Sequence, residues 1–116
     1  MSAFDDPEQE LAPAKVAEVL DDDGWQVIDV REPYEREAGH LAGTRHIALA
    51  QLTSEADSVD RERPVVFYCR VGSRSAMATQ AFRAAGYEAY NLTGGIANWV
   101  AAGLPLEPED GYVAEH

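Results

Sequence analysis

A second cysteine is missing. Cys69 is the only one in 116 residues, so no disulfide can form within the chain, and a lone thiol fits a reducing compartment. Long apolar runs are missing too, which argues against a membrane-spanning helix. Basic side chains are scarce. Nine Lys and Arg face 21 Asp and Glu, a formal net charge of −12. Nucleic acid is therefore an unlikely partner, because phosphate binding needs a basic surface. His40, His46 and His116 are scattered and, with one cysteine, make no metal-ligand spacing. The first ten residues carry Asp5, Asp6, Glu8 and Glu10 but no basic residue, unlike a secretory signal. A cytoplasmic location is the expectation.

What remains suits one domain. Hydrophobic residues make up 46% of the chain, enough for a single core at this length. Residues 1–10 and 107–116 are polar or acidic and are expected to be loosely held, leaving residues 11–106 as the domain. Within it strand-like and helix-like patterns alternate. Residues 13–21 predict a helix opened by Pro13, with Val16, Val19 and Leu20 on one face. Residues 25–30 predict a strand. Residues 33–38 predict a short helix ended by Gly39, residues 46–49 a weak strand, and residues 51–59 a polar helix. Residues 65–68 are a buried strand bounded by Pro64. Residues 73–85 form the clearest helix, with Ala78, Ala81, Phe82 and Ala85 at helical spacing and Gly86 closing it. Residues 89–92 predict a further strand, and Ile96, Trp99 and Val100 a last helix. Near-continuous apolar strands separated by helices predict an α/β fold: a central, mostly parallel sheet of about five strands with helices on both faces. In such a sheet functional residues gather beyond the carboxyl ends of the strands.

Cys69 sits at such an end. Val65-Val66-Phe67-Tyr68-Cys69 runs into Arg70-Val71-Gly72-Ser73-Arg74-Ser75, and a helix follows. A strand-to-helix turn aims N–H groups at its occupant. Gly72 lets successive N–H groups turn inward as an anion-holding nest. Arg74 can hold an oxyanion by paired hydrogen bonds. Ser73 and Ser75 can cap the helix start, and their hydroxyls can reach a bound group or the sulfur. Such surroundings favour a thiolate and make it a nucleophile. The bland reading of a lone cysteine is a small buried hydrophobe. The strand before it, the glycine inside the loop and the helix after it favour the reactive thiol.

Three blocks carry a family resemblance: Val27-Ile28-Asp29-Val30-Arg31-Glu32-Pro33 followed by Gly39-His40-Leu41-Ala42-Gly43; Tyr68-Cys69-Arg70-Val71-Gly72-Ser73-Arg74-Ser75; and Leu92-Thr93-Gly94-Gly95-Ile96-Ala97-Asn98-Trp99 with Gly103-Leu104-Pro105. In this order and spacing the chain resembles small single-domain members of the rhodanese-like family. The resemblance implies a thiosulfate sulfurtransferase. Cys69 would take the sulfane sulfur as a persulfide and pass it to cyanide or a cellular thiol, without metal or organic cofactor. N–H groups of residues 70–74 would stabilise the persulfide, and Arg70 and Arg74 would orient the small anionic donor. Val71, Gly72 and Ser73 complete the loop. One alternative is a sulfur-relay module served by a protein donor or acceptor. A cysteine phosphatase fits less well, because that family's pattern is Cys-x5-Arg and Cys69 to Arg74 is one residue shorter.

The remaining features have plainer readings. Asp29 and Arg31 could brace the active loop, but a paired charge at a strand end is the preferred reading. Glu32 reads as a solvated charge. His40 reads as a structural hydrogen-bonding side chain, since a thiolate needs no base. Gly94-Gly95 lacks a full phosphate-binding fingerprint and reads as a tight turn. Trp99 reads as core and Trp25 as partly buried.

Overall fold

Five short strands, each bounded by a glycine, proline or acidic turn, pair in parallel. The computed structural model describes residues 7–116. After a 3-10 turn at Pro7–Gln9 come β1 (Glu10–Leu11), α1 (Pro13–Val19), β2 (Gln26–Asp29), α2 (Pro33–Ala38), β3 (Arg45–His46), β4 (Val65–Tyr68), α3 (Ser73–Ala84), β5 (Ala89–Leu92) and α4 (Gly95–Ala101). The sheet order is β1-β5-β4-β2-β3, and every pairing is parallel. β4 is the middle strand and is buried along its whole length. It carries the lone cysteine out of the centre of the sheet.

Alternation along the strands divides the core in two. Val65, Phe67 and Cys69 face α3, where they join Ile28, Val30, Ala78, Phe82 and Ala89. Val66 and Tyr68 face the other way, toward Val16 and Val19 of α1 and Ile96 and Trp99 of α4. A side-chain period of two makes this assignment strict. It also fixes which residues can meet at the site.

The helices at 33–38 and 73–84 and the strands at 65–68 and 89–92 lie where their patterns predict. Four features differ. The strand expected over residues 46–49 is instead the two-residue Arg45–His46, and Leu49 already begins a 3-10 turn. Residues 51–59 form no α-helix but end in 3-10 turns at Leu49–Gln51 and Ala56–Ser58. The hydroxyls of Ser54 and Ser58 bond back to the carbonyls of Gln51 and Glu55, the local competition that makes serine a poor helix-interior residue. The buried residues of α3 are Ser75, Ala76, Ala78, Thr79 and Phe82, whereas Ala81 and Ala85 are exposed. Two polar residues hold buried positions because each has a buried partner, and that is invisible to an apolar count. Finally, β1 has only two residues, too few for a periodic signal.

The chain ends are tied in where they are described. Glu10 and Leu11 pair with Asn91 and Leu92; residues 1–6 of the expected loose segment lie outside the described residues. Beyond residue 106, Glu107 exchanges backbone hydrogen bonds with His40, and the Tyr112 N–H donates to Ala38. The Tyr34 hydroxyl donates to the Glu115 carbonyl at 3.0 Å. No helix among the described residues is long and apolar enough to cross a membrane.

Candidate active site

The loop after β4 is shaped by what its carbonyls do. The Cys69 carbonyl accepts the Ile96 N–H at 2.9 Å, and the Arg70 carbonyl accepts the Ala97 N–H at 3.0 Å. The first turn of α4 thereby finds partners for N–H groups that a helix start leaves open. With these carbonyls turned outward, N–H groups further along the loop can turn inward. Gly95 permits the approach: a Cβ there would lie 2.5 Å from both the Cys69 and Arg70 carbonyl oxygens. Gly72 permits the return, adopting φ +100° as it precedes α3.

The sulfur sits in the resulting cradle. The Gly72 N–H donates to Sγ at 3.1 Å. The Ser75 N–H lies 3.5 Å away and the Ser75 hydroxyl oxygen 3.3 Å away. Cys69 is nonetheless fully buried, and its other neighbours are the apolar side chains of the α3-facing core. One wall of the sulfur is aliphatic and the other is polar backbone.

Of the residues singled out in the loop, Gly72 supplies its N–H to the sulfur. Val71 is half-exposed and Ser73 exposed, both on the rim. A cleft of about 470 Å³ opens beside them, lined by Glu10, Val71, Gly72, Ser73, Met77 and Asn91 among others. No serine side chain caps α3; Gly72 holds the N-cap position. Ser75 instead turns inward, toward the sulfur and Asn91.

The two arginines have separate fates. Arg74 forms a bidentate pair with Glu35 of α2, at 2.8 and 2.9 Å, and its guanidinium is committed there. Its pKa is raised, chiefly by the Glu35 hydrogen bond, with desolvation opposing and smaller contributions from the charges of Glu35, Cys69 and Asp29. Glu35 is fully buried. Burial pushes its carboxyl up, but the Arg74 hydrogen bond, the Glu32 N–H and the Arg74 and Arg31 charges together hold it below the ordinary glutamate value. Among the described residues Arg70 has no such counter-ion, and its Nε is buried without a hydrogen-bond partner there.

Asp29 and Arg31 form a fully buried pair at 2.8 Å. Arg31 also donates to the Gly39 carbonyl, and Arg36 reaches Asp29 at 3.5 Å. Asp29 is the register partner of Tyr68, which faces α1 and α4, opposite to Cys69. The Arg31 guanidinium lies over the Tyr68 ring, 5.6 Å from its centre. This pair therefore braces the turn after β2 and makes no hydrogen bond to residues 70–74. Glu32 caps α2: its side chain accepts the Glu35 N–H while its own N–H donates to the Glu35 carboxylate. The solvated reading of Glu32 overlooks this capping box. His40 bonds the Arg36 carbonyl at 3.1 Å and His46 the Arg31 carbonyl at 2.7 Å, both structural. No group of metal-ligating side chains occurs among the described residues.

Sequence reading missed Glu35 and Asn91. Glu35 falls at the third helical position after Glu32, a spacing legible as a capping box, but nothing local announces its ion pair 39 residues away. Asn91 lies in an otherwise apolar strand, and a polar residue there is a sign of a buried partner.

The chain has relatives of recognisable sequence and fold. A family model described as rhodanese-like domain matches residues 12–102. The uncharacterized protein YqhL of Bacillus subtilis is 45% identical over 75 residues, covering 64% of this chain and 60% of that protein. The thiosulfate sulfurtransferase GlpE of Pseudomonas aeruginosa is 34% identical over 92 residues, covering 78% of this chain and 83% of that one. Among solved structures, a rhodanese-related protein from Thermoplasma volcanium superposes with a TM-score of 0.79 at 28% identity, covering 84% of this chain and 96% of its own.

Proposed function

The chain belongs to the rhodanese-like family, and on that premise we propose that it is a cytoplasmic sulfurtransferase working through a Cys69 persulfide. The Cys69 thiolate attacks the outer sulfur of thiosulfate. The sulfur–sulfur bond of the donor breaks, sulfite leaves with the bonding pair, and Cys69 carries the transferred sulfur. A thiol or cyanide acceptor then attacks that sulfur and restores the thiolate. The observation that carries this reading is the pair of backbone donors on Sγ, the Gly72 N–H at 3.1 Å and the Ser75 N–H at 3.5 Å, with the Ser75 hydroxyl oxygen also in reach at 3.3 Å. Such donors favour sulfur in its anionic states over the neutral thiol.

Each neighbouring residue has a role in this scheme. Gly72 and Ser75 hold the negative sulfur. Arg70, which has no counter-ion among the described residues, orients the anionic donor. Arg74 and Glu35 act together as a strut that fixes the start of α3 and the second half of the loop. Because Sγ has no exposure, the donor reaches it only when the rim at residues 71–73 shifts. The committed Arg74 also weakens the phosphatase alternative, which needs that guanidinium free for phosphate.

A second reading has one observation in its favour. Val71 and Met77, 50% and 53% exposed, both line the cleft beside the loop. An apolar rim suits a protein sulfur donor or acceptor better than a small dianion. Intact-mass analysis separates the readings. Incubation with thiosulfate is expected to add one sulfur to the protein and release sulfite, and Cys69→Ser should abolish both. If thiosulfate adds nothing while a persulfidated protein donor does, the relay reading replaces the first. If neither loads Cys69, both fail.

A further inference from the structure

The Ser75 hydroxyl has one hydrogen and two claimants. Its oxygen lies 2.5 Å from Asn91 Oδ1 and 3.3 Å from Cys69 Sγ. A carboxamide oxygen carries no proton, so the hydroxyl must be the donor in the shorter contact. Its lone pairs are then left facing the sulfur. That arrangement suits an S–H donating to oxygen and is unfavourable for a thiolate.

Asn91 cannot exchange its amide ends to relieve this. Its Nδ2 donates to the Glu10 carboxylate at 3.1 and 3.3 Å and to the Gly72 carbonyl at 3.1 Å. A flipped amide would set its oxygen against acceptors on both sides. Glu10 is fixed in turn by the Thr93 hydroxyl, which donates to it at 3.0 Å. The sheet itself builds this row. Glu10 is the register partner of Asn91, Asn91 that of Phe67, and Cys69 follows Phe67 on the same face. A carboxylate holding the Nδ2 end also polarises the amide, making Oδ1 a stronger acceptor.

We propose that Asn91, anchored by Glu10, is a positioning residue that withholds the Ser75 hydroxyl hydrogen from Cys69 until the sulfur is charged. In the resting thiol the hydroxyl donates to Asn91, and S–H donates to the Ser75 oxygen. When the thiol proton leaves to water admitted by the same shift of the rim at residues 71–73, the hydroxyl turns about its C–O bond and donates to the sulfur anion, leaving Asn91 Oδ1. The same turn stabilises the persulfide. Asn91 thus restrains the resting thiol, and Ser75 supplies stabilisation when charge develops. This rests on Cys69 being the nucleophile, but not on which donor it uses.

The test is the alkylation of Cys69 by neutral iodoacetamide at pH 7, followed by intact mass, since no other cysteine competes. Ser75→Ala is expected to slow the reaction about tenfold by removing one charge-assisted hydrogen bond. Asn91→Ala is expected to speed it several-fold, by about 3 to 10 times, on the same grounds. Glu10→Gln, which keeps an acceptor for Asn91 and disturbs the fold least, should speed it about 2-fold to 3-fold. The decisive measurement is coupling: in the Ser75→Ala background the Asn91 and Glu10 substitutions should lose their effect. If they accelerate alkylation equally without the hydroxyl, they act by loosening the loop or by simple charge, and the inference is overturned. Unchanged or slower alkylation in both Glu10→Gln and Asn91→Ala overturns it as well. A wild-type Cys69 inert to the reagent would instead sink the nucleophile reading itself.

Discussion

Removing Glu35 should destabilise the protein more than any other single charge deletion near the loop. Its carboxylate is fully buried and receives two hydrogen bonds from Arg74, whose side chain is 18% exposed, and one from the Glu32 N–H at 2.9 Å. Glu35→Ala strands the Arg74 guanidinium without its counter-ion, opens the capping box and leaves a void. Breaking a mostly buried pair from one side costs about 3–5 kcal/mol. For a chain of this length each kcal/mol corresponds to roughly 3–6 °C in Tm, so a fall of about 9–30 °C is expected. Glu35→Gln keeps the capping hydrogen bond and one contact to Arg74, and should cost about half as much. Replacing both partners at once, as Glu35→Gln with Arg74→Met, should cost less than the two single changes summed, because no uncompensated charge is left. Urea denaturation with a two-state fit is the assay. A cost below about 1 kcal/mol for Glu35→Ala would refute the strut, since a pair worth that little belongs to the solvent-exposed class.

The pH dependence of the same comparison has a definite sign. The folded Glu35 carboxyl sits below its ordinary value of 4.5, so the unfolded chain takes up the proton first as pH falls. The contribution of the Glu35 charge is therefore complete above about 4.5 and is lost as pH drops through the folded value. The stability gap between wild type and Glu35→Gln should be flat at neutral pH and narrow below 4.5. A gap that widens on acidification would contradict the shift.

Other outcomes follow from the same contacts. Gly95→Ala places a Cβ 2.5 Å from two loop carbonyls at φ +65°; it should lower Tm and cut sulfite release at least tenfold, read by melting and by turnover. Arg70→Met should raise KM for thiosulfate with a smaller change in kcat, as expected for loss of an orienting charge; an unchanged KM would remove Arg70 from donor binding. In an alkaline titration followed by tyrosinate absorbance, Tyr68 and Tyr90 should both ionise late. Burial first, then the charge of Asp29 for Tyr68 and the Glu88 hydrogen bond for Tyr90, push each up to about 12. Since the folded Tyr68 holds its proton longer than the unfolded one, stability should fall as pH rises from about 10 to 12, and Tyr68→Phe should lose that component of the fall.

Much of this was readable in advance, for a physical reason. β4 is four apolar residues after a proline, and α2 starts at a proline and stops at a glycine; local chemistry decides both. The loop's character was legible as well, because Cys69, Gly72 and the helix after them are contiguous. What escaped detection was long-range pairing. Nothing near Arg74 shows that Glu35 will neutralise it, and nothing near Ser75 shows that Asn91 will claim its hydroxyl. Asp29 and Arg31 illustrate the same limit. Strand ends alone bring them near the loop, yet strand parity turns Asp29 toward the face opposite Cys69. A one-residue alternation thus separates a bracing pair from a catalytic one.

The neutralisation of Arg74 changes how a donor is recruited. Two free arginines would have made the loop a strong local attractor for thiosulfate. With one compensated by Glu35, Arg70 stands against a body whose formal net charge is −12 and whose radius of gyration is 12.9 Å. Treated as a uniformly charged sphere, that body repels an approaching dianion by about 3 kcal/mol at 10 mM salt and about 1 kcal/mol at 150 mM. The distributed charges and Arg70 reduce both figures, but the direction of change is the same. Turnover with thiosulfate at low substrate should therefore rise with added sodium chloride, by about 5-fold to 10-fold over this range. Alkylation by neutral iodoacetamide should stay nearly flat and so control for effects on Cys69 itself. If kcat/KM instead falls steadily with salt, the local field of Arg70 dominates the approach and the net charge of the body does not control it.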